Sequence, residues 1–103
     1  MKFGLAAEDV ARIRAVFEKY SPIEKVILYG SRAKGSHRQG SDIDVTLFGP
    51  LTLTILNQIR NDLDDLNLPY TFDLSIYSQI DNADLLEHIR RVGTLFFERD
   101  SSR

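Results

Sequence analysis

Helical and extended patterns alternate along this chain from one end to the other, and that alternation constrains the fold more than any other feature. Val10, Ile13, Val16, Phe17 and Tyr20 recur at helical spacing over residues 8–20, with Glu8 and Asp9 placed well for a first turn. Ser21-Pro22 closes that segment, because the residue before a proline avoids the helical region. Residues 25–29 (Lys-Val-Ile-Leu-Tyr) form a short apolar, partly β-branched run that reads as a buried strand. Gly30-Ser31 breaks it, Arg32-Ala33-Lys34 suits a turn or two of helix, and residues 35–40 make a polar loop. A second strand is expected over 42–48, a helix over 52–66 stopped by Asn67-Leu68-Pro69, and a third strand over 70–77. Asn82 can cap a last helix that ends at Gly93, and residues 94–98 can add an edge strand. Such an order predicts an α/β (α+β) architecture, a small mixed β-sheet flanked by helices.

Length and composition narrow the function classes. At 103 residues the chain is expected to be one domain, 1–103, with 99–103 fraying as a polar tail. So small a core makes a lasting partner or a self-associated form plausible. A net charge of −2 argues against bulk nucleic-acid binding through a basic surface. The absence of cysteine excludes disulfides, zinc-thiolate sites and thiol nucleophiles, and it suits a cytoplasmic protein. The first residues lack the apolar run of a signal peptide, and none approaches the roughly 20 residues that span a bilayer, so no membrane role is expected.

Three features carry chemistry. Gly30-Ser31 stands where a buried strand meets a short helix. There glycine permits close approach of an anion, the helix start offers free N–H groups, and Ser31 adds a hydroxyl. Arg32, Lys34 and Arg38 put positive charge nearby, so the segment reads as a phosphate cradle. Next, Asp42 and Asp44 are two apart on a strand and project to one face, with Ile43 turned to the core. Two carboxylates that close repel unless a cation lies between them, and hard oxygen ligands suit Mg²⁺ or Mn²⁺. Last, Asp73 stands alone between Phe72 and Leu74 and needs a partner, which a metal shared with Asp42 and Asp44 would supply. If the three meet, they can hold two metals about 4 Å apart.

Each feature has a plainer reading by itself: a capped turn, a solvated strand end, a polar position on a wet sheet face. Their conjunction, in order and on suitable elements, outweighs those readings. Elsewhere, His37 in the loop and His88 beside the apolar face of the last helix read as surface or interface groups. Arg90-Arg91 and the acidic run Asp62, Asp64, Asp65 read as solvated helix faces. The tyrosines and phenylalanines read as core, with Tyr29, directly before the cradle, the one placed to touch a base or a partner.

Gly30-Ser31-Arg32-Ala33-Lys34-Gly35-Ser36, then Ser41-Asp42-Ile43-Asp44, then Asp73 together resemble the DNA polymerase beta-like nucleotidyltransferase superfamily, and the short chain resembles its minimal nucleotidyltransferases. The resemblance covers nearly the whole chain. It implies a nucleotidyltransferase fold, with Ser31 binding the triphosphate of ATP and Gly30 shaping the turn. Asp42 and Asp44 would ligate two Mg²⁺ ions, Asp73 would ligate the catalytic one and help activate the acceptor, and Arg32 and Lys34 would steady the phosphates. It further implies an antitoxin that attaches AMP to a tyrosine of a helical HEPN-domain ribonuclease toxin. Two alternatives stay open: a module of the same fold that neutralises its partner by occlusion, and nucleotidyl transfer to a small molecule such as an aminoglycoside.

Overall fold

The computed structural model describes residues 3–35 and 42–99. Over these, α1 (Ala7–Glu18), β1 (Lys25–Tyr29), α2 (Ser31–Lys34), β2 (Ile43–Phe48), α3 (Leu53–Asp64), β3 (Phe72–Ile76), α4 (Ala83–Val92) and β4 (Thr94–Glu98) follow in chain order. The expected alternation is present, and β1 and β4 coincide with the expected strands residue for residue. Thr52 and Asn82 cap α3 and α4, their side chains accepting from the backbone N–H groups of Ile55 (3.2 Å) and Leu85 (3.1 Å).

The differences fall at element ends. α1 stops at Glu18, two residues short of Tyr20, whose hydroxyl instead donates to Asp62 on α3 at 2.5 Å. Asp62 also meets Lys19 at 3.0 Å, so this member of the acidic run ties α3 to the end of α1, while Asp64 and Asp65 face solvent. α3 stops at Asp64, and Asn67 leaves it in the left-handed region (φ 57°). β3 ends at Ile76, because Tyr77–Gln79 folds into a 3₁₀ turn. Gly93 does end α4, but with φ −62° it needs no left-handed freedom. It is required because a Cβ there would strike the Ile89 carbonyl and Cγ2 of Ile27.

The four strands form one mixed sheet in the order β3-β2-β1-β4. β1 pairs antiparallel with β2 and β4, whereas β2 and β3 run parallel, joined through α3. Strand alternation gives the sheet two different faces. Val26, Leu28, Ile43, Val45, Leu47, Leu74 and Ile76 line one face and pack with Ile13, Val16 and Phe17 of α1 and Leu56, Ile59 and Leu63 of α3. The other face carries Ile27, Tyr29, Asp44, Thr46, Asp73 and Ser75, and α4 lies over its β1 side.

Arg99 overturns the expectation of a tail fraying from that residue. Its guanidinium donates to the carbonyls of Ile23 (2.9 Å), Tyr20 (3.0 Å) and Glu18 (3.2 Å), and its backbone N–H donates to Glu24 (2.9 Å). Carbonyls left over at the end of a helix need such donors, and one arginine serves several of them at once. Residues 100–103 lie outside the described residues.

Candidate active site

The site forms where β1 ends and β2 and β3 begin. Gly30 leaves β1 with φ 79°, a conformation that favours glycine, and space demands glycine as well. A Cβ at this position would collide with Oδ2 of Asp44 and lie 3.2 Å from its Cγ. The turn therefore runs directly against the carboxylate. Ser31 opens the single turn of α2, closed by the Lys34 N–H donating to the Gly30 carbonyl at 3.1 Å, and Gly35 ends it in the left-handed region. Ser31 is half-buried at the edge of the turn and Lys34 is exposed.

Asp44 and Asp73 are direct neighbours across the parallel β2–β3 pair, and Tyr29 is the partner of Asp44 on the antiparallel side. The two carboxylates thus project together from one face, as the alternation of both strands required. Asp42 precedes β2 by one residue, and its carboxylate accepts from the hydroxyl of Thr71, one residue ahead of β3. Burial raises the pKa of Asp44, and the charges of Asp73 and Asp42 raise it further, with His88 pulling the other way. Burial likewise raises Tyr29, opposed by Ser75 and reinforced by Asp73 and Asp44. The three acidic residues therefore lie within one electrostatic neighbourhood.

They do not close into a finished cage. Among the described residues, no group of three His, Cys, Asp or Glu side chains converges enough to hold a metal ion. The donor set still fits a hard divalent cation, because Mg²⁺ binds through one or two carboxylates and completes its shell with water and substrate phosphates. Asp44 and Asp73 supply that pair, and Asp42 borders it.

Arg32 points partly away from the cradle. Arg32 is 4% exposed, donates to the Phe3 carbonyl at 2.8 Å, and sets its guanidinium 5.2 Å from the ring centre of Tyr70. It braces the N-terminal segment and the approach to β3. Of the cations expected around the cradle, Lys34 is available on the surface, while Arg38 and His37 lie outside the described residues.

His88, read from the sequence as a surface or interface group, belongs to this site. Its ring stands edge-on to Tyr29, with centroids 6.1 Å apart at 82°. The signal was present in the helical spacing: Leu85, His88, Ile89 and Val92 share the stripe of α4 that turns toward the sheet.

Known proteins share this fold. The family model described as polymerase beta, nucleotidyltransferase, matches residues 11–102. The probable protein adenylyltransferase MntA of Haemophilus influenzae is 24% identical over 103 residues, spanning 98% of this chain and 90% of that protein. Among solved structures, a toxin–antitoxin complex with AMP-PNP superposes with a TM-score of 0.70 at 15% identity, covering 93% of this chain and 76% of that one. The complex of a tri-AMPylated Shewanella oneidensis HEPN toxin with its MNT antitoxin gives 0.65 at 14% identity, covering 89% and 71%. Similarity at that level establishes the shared fold, and the family match extends over most of the chain. No described helix is long and apolar enough to cross a membrane. The chain belongs to the polymerase beta-type nucleotidyltransferase family.

Proposed function

We propose that this protein transfers AMP from ATP to a hydroxyl, a tyrosine in the favoured reading, of a helical HEPN-type toxin, and so acts as its antitoxin. The observation that carries this reading is the in-register Asp44–Asp73 pair pressed against a glycine turn that has no room for a side chain. A turn of this kind admits polyphosphate beside carboxylates, and a divalent cation held by the carboxylates would balance the charge of both. MntA of Haemophilus influenzae, a probable protein adenylyltransferase, and the AMPylated toxin in complex with its MNT antitoxin support the acceptor class.

In the proposed reaction the acceptor oxygen attacks the α-phosphorus, the bond to the bridging oxygen breaks, and pyrophosphate leaves. Gly30 and Ser31 bind the polyphosphate through the backbone N–H groups of the turn and the serine hydroxyl. Asp42, Asp44 and Asp73 would hold one or two Mg²⁺ or Mn²⁺ ions, which supply neutralisation of charge at the attacking and leaving oxygens. Asp73 is the most exposed of the acids in register, which suits it to take the acceptor proton.

The test is co-expression with the candidate partner followed by intact mass measurement of both chains. A partner heavier by one or more AMP units, and unshifted when Asp42→Asn replaces the wild type, supports the reading. A stable complex with an unmodified partner overturns it in favour of occlusion. Label from ATP appearing on an aminoglycoside panel in the absence of protein partner would move the acceptor to a small molecule.

A further inference from the structure

We propose that His88 is a nucleotide-contacting residue, an imidazole donor that α4 holds over the cradle to bind a polyphosphate oxygen. The proposal rests on the nucleotidyltransferase reading of the site and adds a residue outside its carboxylate and turn motifs.

The register of α4 on β1 places His88. A Cβ on Gly93 would touch Ile27, and His88 stands against Tyr29. Five residues of helix and two of strand each span roughly 7 Å, so the two elements run alongside in opposite directions. Continued by one turn, α4 passes the end of β1, where Gly30 and Ser31 begin the cradle. His88 is the residue of α4 nearest that junction that carries a polar ring, and it is half-buried on the side facing the sheet.

The chemistry of the neighbourhood asks for such a donor. Arg32 donates from Nη1 to Phe3 and sets its guanidinium over Tyr70, so part of the cation expected to follow Ser31 is already engaged. The ring of His88 stands edge-on to Tyr29, which orients the imidazole at the end of β1. An imidazole N–H directed to a phosphate oxygen makes a hydrogen bond to a charged acceptor, the stronger kind. Tyr29, the ring that His88 touches, is the register partner of Asp44, so His88 stands beside the strand position of the carboxylate that the nucleotide must approach. An imidazole here faces acids when the site is empty and anionic oxygens when nucleotide and cation are bound.

Binding of α,β-methylene-ATP with Mg²⁺, measured by calorimetry on the full chain, separates the possibilities. His88→Ala and His88→Phe are each expected to weaken binding about tenfold, the value of one hydrogen bond to a charged group. His88→Gln, which retains an N–H donor, is expected to recover most of the loss. Thermal midpoints within a few degrees of wild type show that the variants are folded. Equal affinity for wild type, His88→Ala and His88→Phe overturns the proposal. So does wild-type affinity in His88→Phe with a loss in His88→Ala, because packing on Tyr29 would then be the whole role. Wild-type protein that binds no nucleotide at all overturns the nucleotidyltransferase reading itself, and His88 falls with it.

Discussion

On β2, Ile43, Val45 and Leu47 turn toward α1 and α3 and are sealed from solvent, whereas Asp44 between them is half-buried on a side that α4 covers only over β1. β3 repeats the pattern, with Leu74 and Ile76 inside and Asp73 and Ser75 opposite. One set of strands thus presents two surfaces with separate duties. The closed face gains free energy from buried apolar area. The open face gives some of it back by holding like charges side by side. Neighbouring residues can therefore be changed with opposite consequences, which makes the division testable one position at a time.

Asp44→Asn should separate the faces most sharply. Loss of the cation-binding charge is expected to lower transfer about 1,000-fold, several kcal/mol of transition-state stabilisation at 1.36 kcal/mol per tenfold. The thermal midpoint should hold or rise, because a repulsive charge has gone. A midpoint that drops along with activity would show that Asp44 is structural. Leu47→Ala, on the closed face, should cost about 2–5 kcal/mol in denaturant unfolding. The folded fraction should keep wild-type turnover, so a specific activity that falls while the protein is fully folded would blur the two surfaces.

Gly30→Ala tests the contact between turn and carboxylate. A methyl group must displace Asp44 and also adopt φ 79°, and a shift of about 1 Å at a reacting centre costs on the order of 100-fold in rate. Initial rates at saturating nucleotide would report it, and an unaltered rate would mean that the turn yields without moving the acid. The smallest effect concerns pH. The folded pKa of Asp44 is raised, so stability is greatest below the ordinary carboxylate range and falls as pH climbs through the raised value. In the absence of divalent cations, the thermal midpoint of Asp44→Asn relative to wild type should grow across that window and level off above it. A constant offset throughout would argue that burial and neighbouring charge leave Asp44 unperturbed.

The parts of this architecture visible in the sequence are those governed by local rules. β1 and β4 are bounded apolar runs, Asn82 sits where a cap must be, and the shared face of Asp44 and Asp73 follows from two-residue alternation. The parts that were not visible depend on distant segments. Arg32 leaves a one-turn helix toward Phe3 and Tyr70, which no local pattern connects to it. Arg99 is anchored by carbonyls at the other end of the chain. The pairing of β1 with β4 shifts register between Val26 and Ile27, which lets the consecutive Phe96 and Phe97 both be buried, against simple alternation. His88 was readable from its stripe and obscured by the expectation that a histidine on a helix faces water.

The parallel pairing of β2 and β3 has a kinetic consequence. Asp73 reaches Asp44 only after the chain has travelled back along the sheet through α3, so the acidic pair closes a long loop, whereas the turn at Gly30 needs only its neighbours. Long closures cost more entropy and slow folding. A chain that has paired β1 with β2 but has not docked β3 carries the turn and two of its acids, yet no complete centre. Competence for transfer therefore waits on a non-local pairing, so catalytic output doubles as a check that folding has gone beyond the local pairing of β1 with β2.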